Sequence, residues 1–244
     1  AVLAAGGGQV VVVNNASEGS SQQDLTRFAT THPNVHVLTM SHNLGSAGGY
    51  AAGIDAASPL ACEFIWLLDD DNVPADNALE LLLKAYPDIS EASNLVAVTA
   101  LRDDRPNLKA RAQGVRTAIT RPSCPLPFAP YGGLLLPKHV VNAIGLPDTQ
   151  FYLYSDDYEY TYRTTRAGGR IYLLPDALIY DVDTSWLVDN RGTNKRKTRP
   201  FQRLFLTESD TRIYYTTRNA LYWTRHVRTG PYAWFIFNLL VVKF

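Results

Sequence analysis

Three consecutive carboxylates, Asp69, Asp70 and Asp71, follow directly on the apolar run Phe64-Ile65-Trp66-Leu67-Leu68. At the end of a buried strand such charges repel one another and raise one another's pKa values, unless a cation or hydrogen-bond donors compensate them. With Asp69 and Asp71 projecting to the same side, the triplet reads as a hard-metal site of the Asp-x-Asp type. Mg2+ or Mn2+ would then sit between these carboxylates and the phosphates of a ligand. The structural alternative is an acidic strand-to-helix turn, in which Asp71 or Asn72 caps a helix and Pro74 lies in its first turn. One cap accounts for one acid but not for three.

A second acidic pair opens Ser155-Asp156-Asp157-Tyr158-Glu159-Tyr160-Thr161-Tyr162-Arg163. In a structural reading Ser155 is the N-cap, Asp156 and Asp157 complement the helix dipole, and Glu159 pairs with Arg163 at i,i+4. In a functional reading one of these carboxylates, at a helix start on the mouth of a sheet, accepts the proton of a substrate hydroxyl.

Alternating elements carry these groups. Strands are expected over Gln9–Val13, Asn34–Thr39, Phe64–Leu68 and Leu95–Ala100. Between them, helical spacing covers Ser20–Thr30, the Gly/Ala-rich Leu44–Ala57 opens as a loop before becoming helical, and Asp76–Tyr86 presents Leu79, Leu82 and Leu83 on one face. This alternation predicts an α/β fold with a mostly parallel central sheet covered on both faces. Beyond Leu101 the pattern loosens, with Arg105–Pro130 irregular or a hairpin. Strands return at Gly132–Leu136 and Ile171–Leu174, flanking a helix over Ser155–Ala167, and Asp210–Arg228 forms a long helix rich in Tyr and Arg. Arg212, Arg218, Arg225 and Arg228 of that helix either line an acceptor path or snorkel from a covering helix. The chain divides into a domain over 1–205 and a C-terminal helical segment over 206–244.

With 244 residues, 46% of them hydrophobic, the chain can bury a substantial core. Lys plus Arg and Asp plus Glu both number 23, so no global field draws the chain to nucleic acid. Arg191, Lys195, Arg196, Lys197, Arg199 and Arg203 crowd one segment, as a solvated loop or a contact for anionic lipid. Cys62 and Cys124 form no metal-ligand spacing and fit a reducing cytosol. The apolar stretch Tyr232–Val242 is shorter than the roughly 20 residues of a spanning helix. It reads as an interfacial helix, the start of a span, or a helix packed on the domain or on a second copy of the chain.

Together, Val11-Val12-Val13-Asn14-Asn15-Ala16-Ser17, Asn43-Leu44-Gly45-Ser46-Ala47-Gly48-Gly49-Tyr50 and Trp66-Leu67-Leu68-Asp69-Asp70-Asp71 resemble the inverting nucleotide-sugar glycosyltransferases of family 2, which have the GT-A fold. The resemblance continues through Tyr131-Gly132-Gly133, Gly145-Leu146-Pro147, Asp156-Asp157-Tyr158-Glu159 and Gly169-Arg170-Ile171. Within the family the chain looks most like galactofuranosyltransferases, then rhamnosyltransferases. The resemblance implies that Asp69 and Asp71 hold the divalent metal on the donor diphosphate, with Asp70 near the donor sugar or ribose. Asn15 would face the nucleotide, while Asn43, Gly48 and Gly49 form a wall against the donor. Asp157, or in second place Asp156, would be the catalytic base, and Tyr131, Gly132 and Gly133 would border the acceptor. The donor would be UDP- or dTDP-linked and the acceptor a glycan or lipid-linked glycan of surface polysaccharide synthesis. The enzyme would work in the cytoplasm, free or at the inner face of the plasma membrane.

The sequence departs from the family pattern twice. Only Ala1–Gly8 precede the Val-rich strand, where relatives carry a further strand and nucleotide-binding turn, which leaves the nucleotide open. Where relatives place a metal-binding His, the chain has Asp181 and Asp183: Asp181 is an oxygen ligand, or both are loop acids. Two other functions compete. Asp69-Asp70-Asp71-Asn72-Val73 also fits the nucleophile motif of haloacid-dehalogenase-like phosphatases, although that family carries it on the first strand. A non-catalytic carbohydrate-binding module would keep the fold alone.

Overall fold

The computed structural model describes residues 8–91, 93–102, 124–182 and 209–226. The basic segment over 191–203, Asp183, Arg228 and the apolar stretch 232–242 lie outside these residues.

The β-branched run forms β1 (Val10–Asn14), which pairs in parallel with β2 (Val35–Thr39), Val10 facing Val35 and Asn14 facing Thr39. Helix α1 (Ser21–Thr31) makes the crossover. Helix α2 (Gly45–Ala57) begins directly at Gly45, without the expected opening loop, and buries Gly45, Ala47, Gly48, Ala51 and Ile54. Its small residues let it lie close to β1: a Cβ on Gly53 would stand 3.0 Å from the Val13 side chain.

The larger sheet runs β3 (Phe64–Leu67), β7 (Leu134–Pro137), β5 (Val96–Arg102), β8 (Arg170–Asp181), β4 (Asn72–Pro74), with β6 (Cys124–Leu126) also on β8. Among the described residues only β5 and β8 run parallel in it; β3–β7, β5–β7, β4–β8 and β6–β8 are antiparallel. The α/β class stands, but the mostly parallel sheet expected from the sequence is corrected to a mixed one. The reason is physical: β5 and β7 are buried at every residue. Burial on both faces produces a continuous apolar run whichever way the neighbouring strand points.

The strand-to-helix turn after Asp71 is also replaced. Asn72–Pro74 form β4, the edge strand, where a proline costs no ladder bond, and α3 begins later, at Ala78, running to Ser90. Strand β8 continues through Pro175 to Asp181, with a register shift opposite Ala100 and Leu101. The strand expected over Ile171–Leu174 is thus longer at both ends, and the bulge accommodates the proline. Short α4 (Lys138–Ile144) follows β7, and a 3-10 turn (Thr149–Phe151) leads to α5 (Asp156–Arg166).

Two apolar clusters fill the two sides of the large sheet. One joins Ile54, Leu67, Leu134, Leu136, Val140, Tyr160 and Ile171; the other joins Leu79, Leu82, Ile89, Val96, Val98, Leu135 and Ile179. Each fully buried aliphatic side chain contributes roughly 1.5–3 kcal/mol. These clusters fix the ends of β3, β5 and β8, from which the acidic groups project. The final described helix, α6 (Asp210–His226), covers α5: Trp223 meets the rings of Phe128, Tyr158 and Tyr162. Arg212 and Arg225 are exposed, as expected of a covering helix.

Candidate active site

Strands β3, β4, β5 and β8 bring Asp69, Asp71, Asn72, Arg102 and Asp181 together. Register places Asn72 opposite Asp181, and its amide donates to Asp181 Oδ1 at 2.7 Å and to Asp71 Oδ1 at 3.1 Å. Its own Oδ1 accepts from the backbone N–H of Asp69 at 3.0 Å. Asn72, a helix cap only in the structural alternative, binds the acidic loop to itself.

Arg102, the last residue of β5, is 3% exposed. Its Nη1 donates to Asp69 Oδ2 at 2.5 Å, and its Nη2 reaches both oxygens of Asp181 at 2.7 Å. The tyrosine hydroxyl of Tyr50 donates to Asp69 Oδ1 at 2.6 Å. Burial, followed by the Asp69 charge, holds the Tyr50 pKa well above its ordinary value, so it stays a donor. Asp181, read from the sequence as a ligand or a loop acid, is thus a buried partner of Arg102 and Asn72.

The remaining charge falls on Asp71. Burial and the neighbouring Asp181 and Asp69 raise its pKa to about 6, against the opposing effect of Arg102. Asp70 is exposed. Among the described residues no group of three or more His, Cys, Asp or Glu side chains converges as a metal cluster. These oxygen donors are of the type a hard divalent cation takes: among the described residues Asp69 and Asp181 share the Arg102 guanidinium, and the neighbouring Asp71 is pushed towards its protonated form by burial and by their charges.

The second pair divides. Asp156 is 4% exposed, and its Oδ2 accepts from Ser46 Oγ at 2.8 Å. Burial raises its pKa, opposed by that hydrogen bond. Asp157 is half-buried in the first turn of α5, with its Oδ1 on the backbone N–H of Tyr158 at 2.8 Å. Ser155 occupies the N-cap position in a left-handed conformation without a side-chain cap bond, whereas Glu159 and Arg163 pair through two bonds of 2.8 and 2.5 Å.

Tyr131 stacks on Tyr50 with ring centroids 3.9 Å apart and is 3% exposed. Its hydroxyl is buried without a partner among the described residues. Burial, then the charges of Asp156 and Asp157, raises its pKa. The adjacent glycines are steric requirements. A Cβ on Gly132 would overlap Arg102 Nη1 and Asn72 Oδ1 and stand 2.8 Å from Asp69 Oδ2. Gly133, at φ +92°, packs against Ala100 and Ile179.

The residues expected along the donor build the entry to α2. Asn15 donates to the carbonyl of Gly45 at 2.9 Å and accepts from the N–H of Leu44 at 2.9 Å. Asn43 accepts from the N–H of Gly45 at 2.8 Å. Gly48 fits under Leu44, and Gly49 faces the Asn15 amide. Sequence reasoning missed Arg102, Ser46 and the hub role of Asn72. An isolated Arg closing an otherwise apolar strand was the available signal for Arg102.

The family model described as "Glycosyltransferase like family 2" matches residues 2–201. The galactofuranosyltransferase GlfT1 of Mycolicibacterium smegmatis is 26% identical over 172 residues, covering 65% of this chain and 56% of that protein. Its counterpart from Mycobacterium tuberculosis H37Rv is 27% identical, covering 65% and 55%. The chain thus spans about half the length of the curated relatives it matches. Among solved structures, GalNAc-T7 with UDP, GalNAc and Mn2+ has a TM-score of 0.57 at 14% identity, covering 71% of this chain and 37% of that one. The mannosyltransferase PcManGT from Pyrobaculum calidifontis, in complex with GDP-Man and Mn2+, has a TM-score of 0.53 at 22% identity, covering 75% and 49%. These structures share the GT-A type of fold. The phosphatase motif would belong on a first strand, whereas here it follows β3, and the family match accounts for the segments that motif leaves unexplained. With the match extending over most of its length, the chain belongs to glycosyltransferase-like family 2.

Proposed function

We propose that this chain is the catalytic domain of an inverting glycosyltransferase that moves galactofuranose, or in second place rhamnose, from a UDP- or dTDP-linked donor to a hydroxyl of a glycan or lipid-linked acceptor. The observation that carries the reading is the pair of acidic clusters, one at the strand ends and one at the start of α5, joined by α2. Such a pair suits a reaction in which one group binds a diphosphate and another removes a proton. Galactofuranose is preferred because the matched relatives are named galactofuranosyltransferases.

Asp71 with Asp69 would hold Mg2+ or Mn2+, which when bound supplies positive charge against the departing diphosphate. Arg102 fixes Asp69 and Asp181, so the acidic loop is ordered before a ligand arrives. Asp157 is the base, because Asp156 is buried and committed to Ser46. Asp157 takes the proton of the acceptor hydroxyl as that oxygen attacks the anomeric carbon. The bond between that carbon and the phosphate oxygen breaks, and the nucleoside diphosphate leaves with the electron pair. A single displacement inverts the anomeric configuration without a covalent enzyme intermediate. Asp70, Asn15, Asn43 and the helical Gly48 and Gly49 would lie on the donor side of this scheme, and Tyr131 with Gly132 and Gly133 would lie between the clusters. The setting is surface-polysaccharide synthesis on the cytoplasmic side. No described helix is long and apolar enough to cross a membrane.

The test is incubation with UDP-galactofuranose or dTDP-rhamnose, Mn2+ and an alkyl galactofuranoside, with the new anomeric centre read by NMR. Transfer with inversion supports the reading; hydrolysis of a phosphomonoester without sugar transfer overturns it.

A further inference from the structure

The segment entering α5 is held in an unfavourable conformation. Tyr152, Tyr154 and Ser155 have φ of +58°, +67° and +61°, a region that residues with a Cβ adopt at a cost. Asp156 and Asp157 follow immediately. On one side this segment rests on α2, where the carbonyl of Tyr152 accepts from the N–H of Ala47 at 3.1 Å. On the other side α6 holds it, with Asn219 supplying the hydrogen bonds. Asn219, 0% exposed, donates through Nδ2 to the carbonyls of Phe151, Leu153 and Tyr154 at 2.9, 2.8 and 2.8 Å. Carbonyl oxygens only accept, so the amide nitrogen must face them, its two hydrogens shared among three acceptors. Around it, Tyr215 stacks on Tyr152 at 4.7 Å, and Tyr222 packs edge-on against Phe151 at 5.2 Å.

We propose that Asn219 is a positioning residue: through the Phe151–Ser155 segment, α6 sets the place of the Asp157 carboxylate against the acceptor hydroxyl. This deepens the glycosyltransferase reading and rests on Asp157 as its base. The C-terminal helix is then part of the catalytic apparatus, although none of its side chains need touch substrate. A base displaced by about 1 Å loses on the order of a hundredfold in rate, while Asp69 and Asp71, which follow β3, keep the bonds that Arg102 and Asn72 make to them.

The experiment compares Asn219→Ala and Asn219→Ser in the full protein, with UDP-galactofuranose and an alkyl galactofuranoside as probes. Expected is a fall in kcat of about a hundredfold for Asn219→Ala and less for Asn219→Ser, which keeps one donor, with UDP affinity in the presence of Mn2+ unchanged within about twofold. In an Asp157→Asn background, Asn219→Ala should lower the residual rate no further. Unchanged kcat in Asn219→Ala, an equal loss of UDP affinity, or failure of both variants to fold would each overturn the proposal. If Asp157→Asn itself keeps full kcat, the base assignment fails instead, which separates the two results.

Discussion

Ser46 and Tyr50 stand one helical turn apart on α2 and bind different acidic clusters. The Ser46 hydroxyl reaches Asp156 at 2.8 Å and the Tyr50 hydroxyl reaches Asp69 at 2.6 Å. Residues at i and i+4 share a helix face, so α2 sets the separation between the strand-end and helix-start carboxylates. Tyr50→Phe keeps the ring stacked on Tyr131 but removes the donor to Asp69. A hydrogen bond to a charged group contributes about 1.5–3 kcal/mol, so Tm should fall by several degrees, and Mn2+-dependent UDP binding should weaken by roughly tenfold as Asp69 loses its fixed position. Calorimetry checks this; equal affinity in the variant would detach Tyr50 from the donor site.

Arg102 is the charge that makes the cluster foldable. Arg102→Met takes the guanidinium from the buried Asp181 carboxylate and from the half-buried Asp69, which should cost about 3–5 kcal/mol in urea unfolding. Arg102→Lys should recover little, since an ammonium cannot span Asp69 and both oxygens of Asp181 as the guanidinium does. Adding Asp181→Asn to Arg102→Met should restore part of the loss. A fully stable Arg102→Met protein would contradict this account.

Gly132→Ala is expected to be among the most damaging single-methyl changes in the molecule. Its Cβ falls on Arg102 Nη1 and Asn72 Oδ1, in a place where neither can move without breaking bonds to Asp69 or Asp181. Overpacking of this kind costs typically 1–3 kcal/mol, and Mn2+-dependent UDP binding should fall with it. Normal stability and binding in the variant would mean that the ion pair has room to shift.

The acidic motifs were legible because charge is conspicuous at the end of an apolar run. The strand Phe64–Leu67 and the helix Asp156–Arg166 lie within a residue of their expected ends. Strand direction was not legible, because β7 is as apolar as any parallel strand. The roles of Asn15, Asn43 and Gly48 were also hidden. Their polar atoms and missing side chain serve the entry to α2 at residues 43–48, a three-dimensional contact that spacing in sequence does not reveal. Arg102 escaped for a related reason: its partners lie 33 and 79 residues away.

Asp71 sets a pH dependence. Its pKa is raised from 3.8 to about 6, so folding favours its protonated form. That contribution to stability is complete below about pH 4 and is lost as pH rises through about 6. A cation binding the ionised form reverses the trend. The increase in Tm on adding Mn2+ should therefore grow between about pH 5 and about pH 7, and Asp71→Asn should flatten it. A Mn2+ effect independent of pH would argue against Asp71 as a ligand.

The central claim is a division of labour between the two carboxylate clusters. The most direct measurement is calorimetric titration of UDP, with Mn2+, into the wild type, Asp71→Asn and Asp157→Asn, with sugar transfer assayed on the same samples. The account predicts that Asp71→Asn loses metal-dependent UDP binding, while Asp157→Asn binds UDP like the wild type and keeps only a residual transfer rate, lower by roughly a hundredfold to ten-thousandfold. Equal UDP binding by all three proteins, or transfer by Asp157→Asn at the wild-type rate, would contradict it.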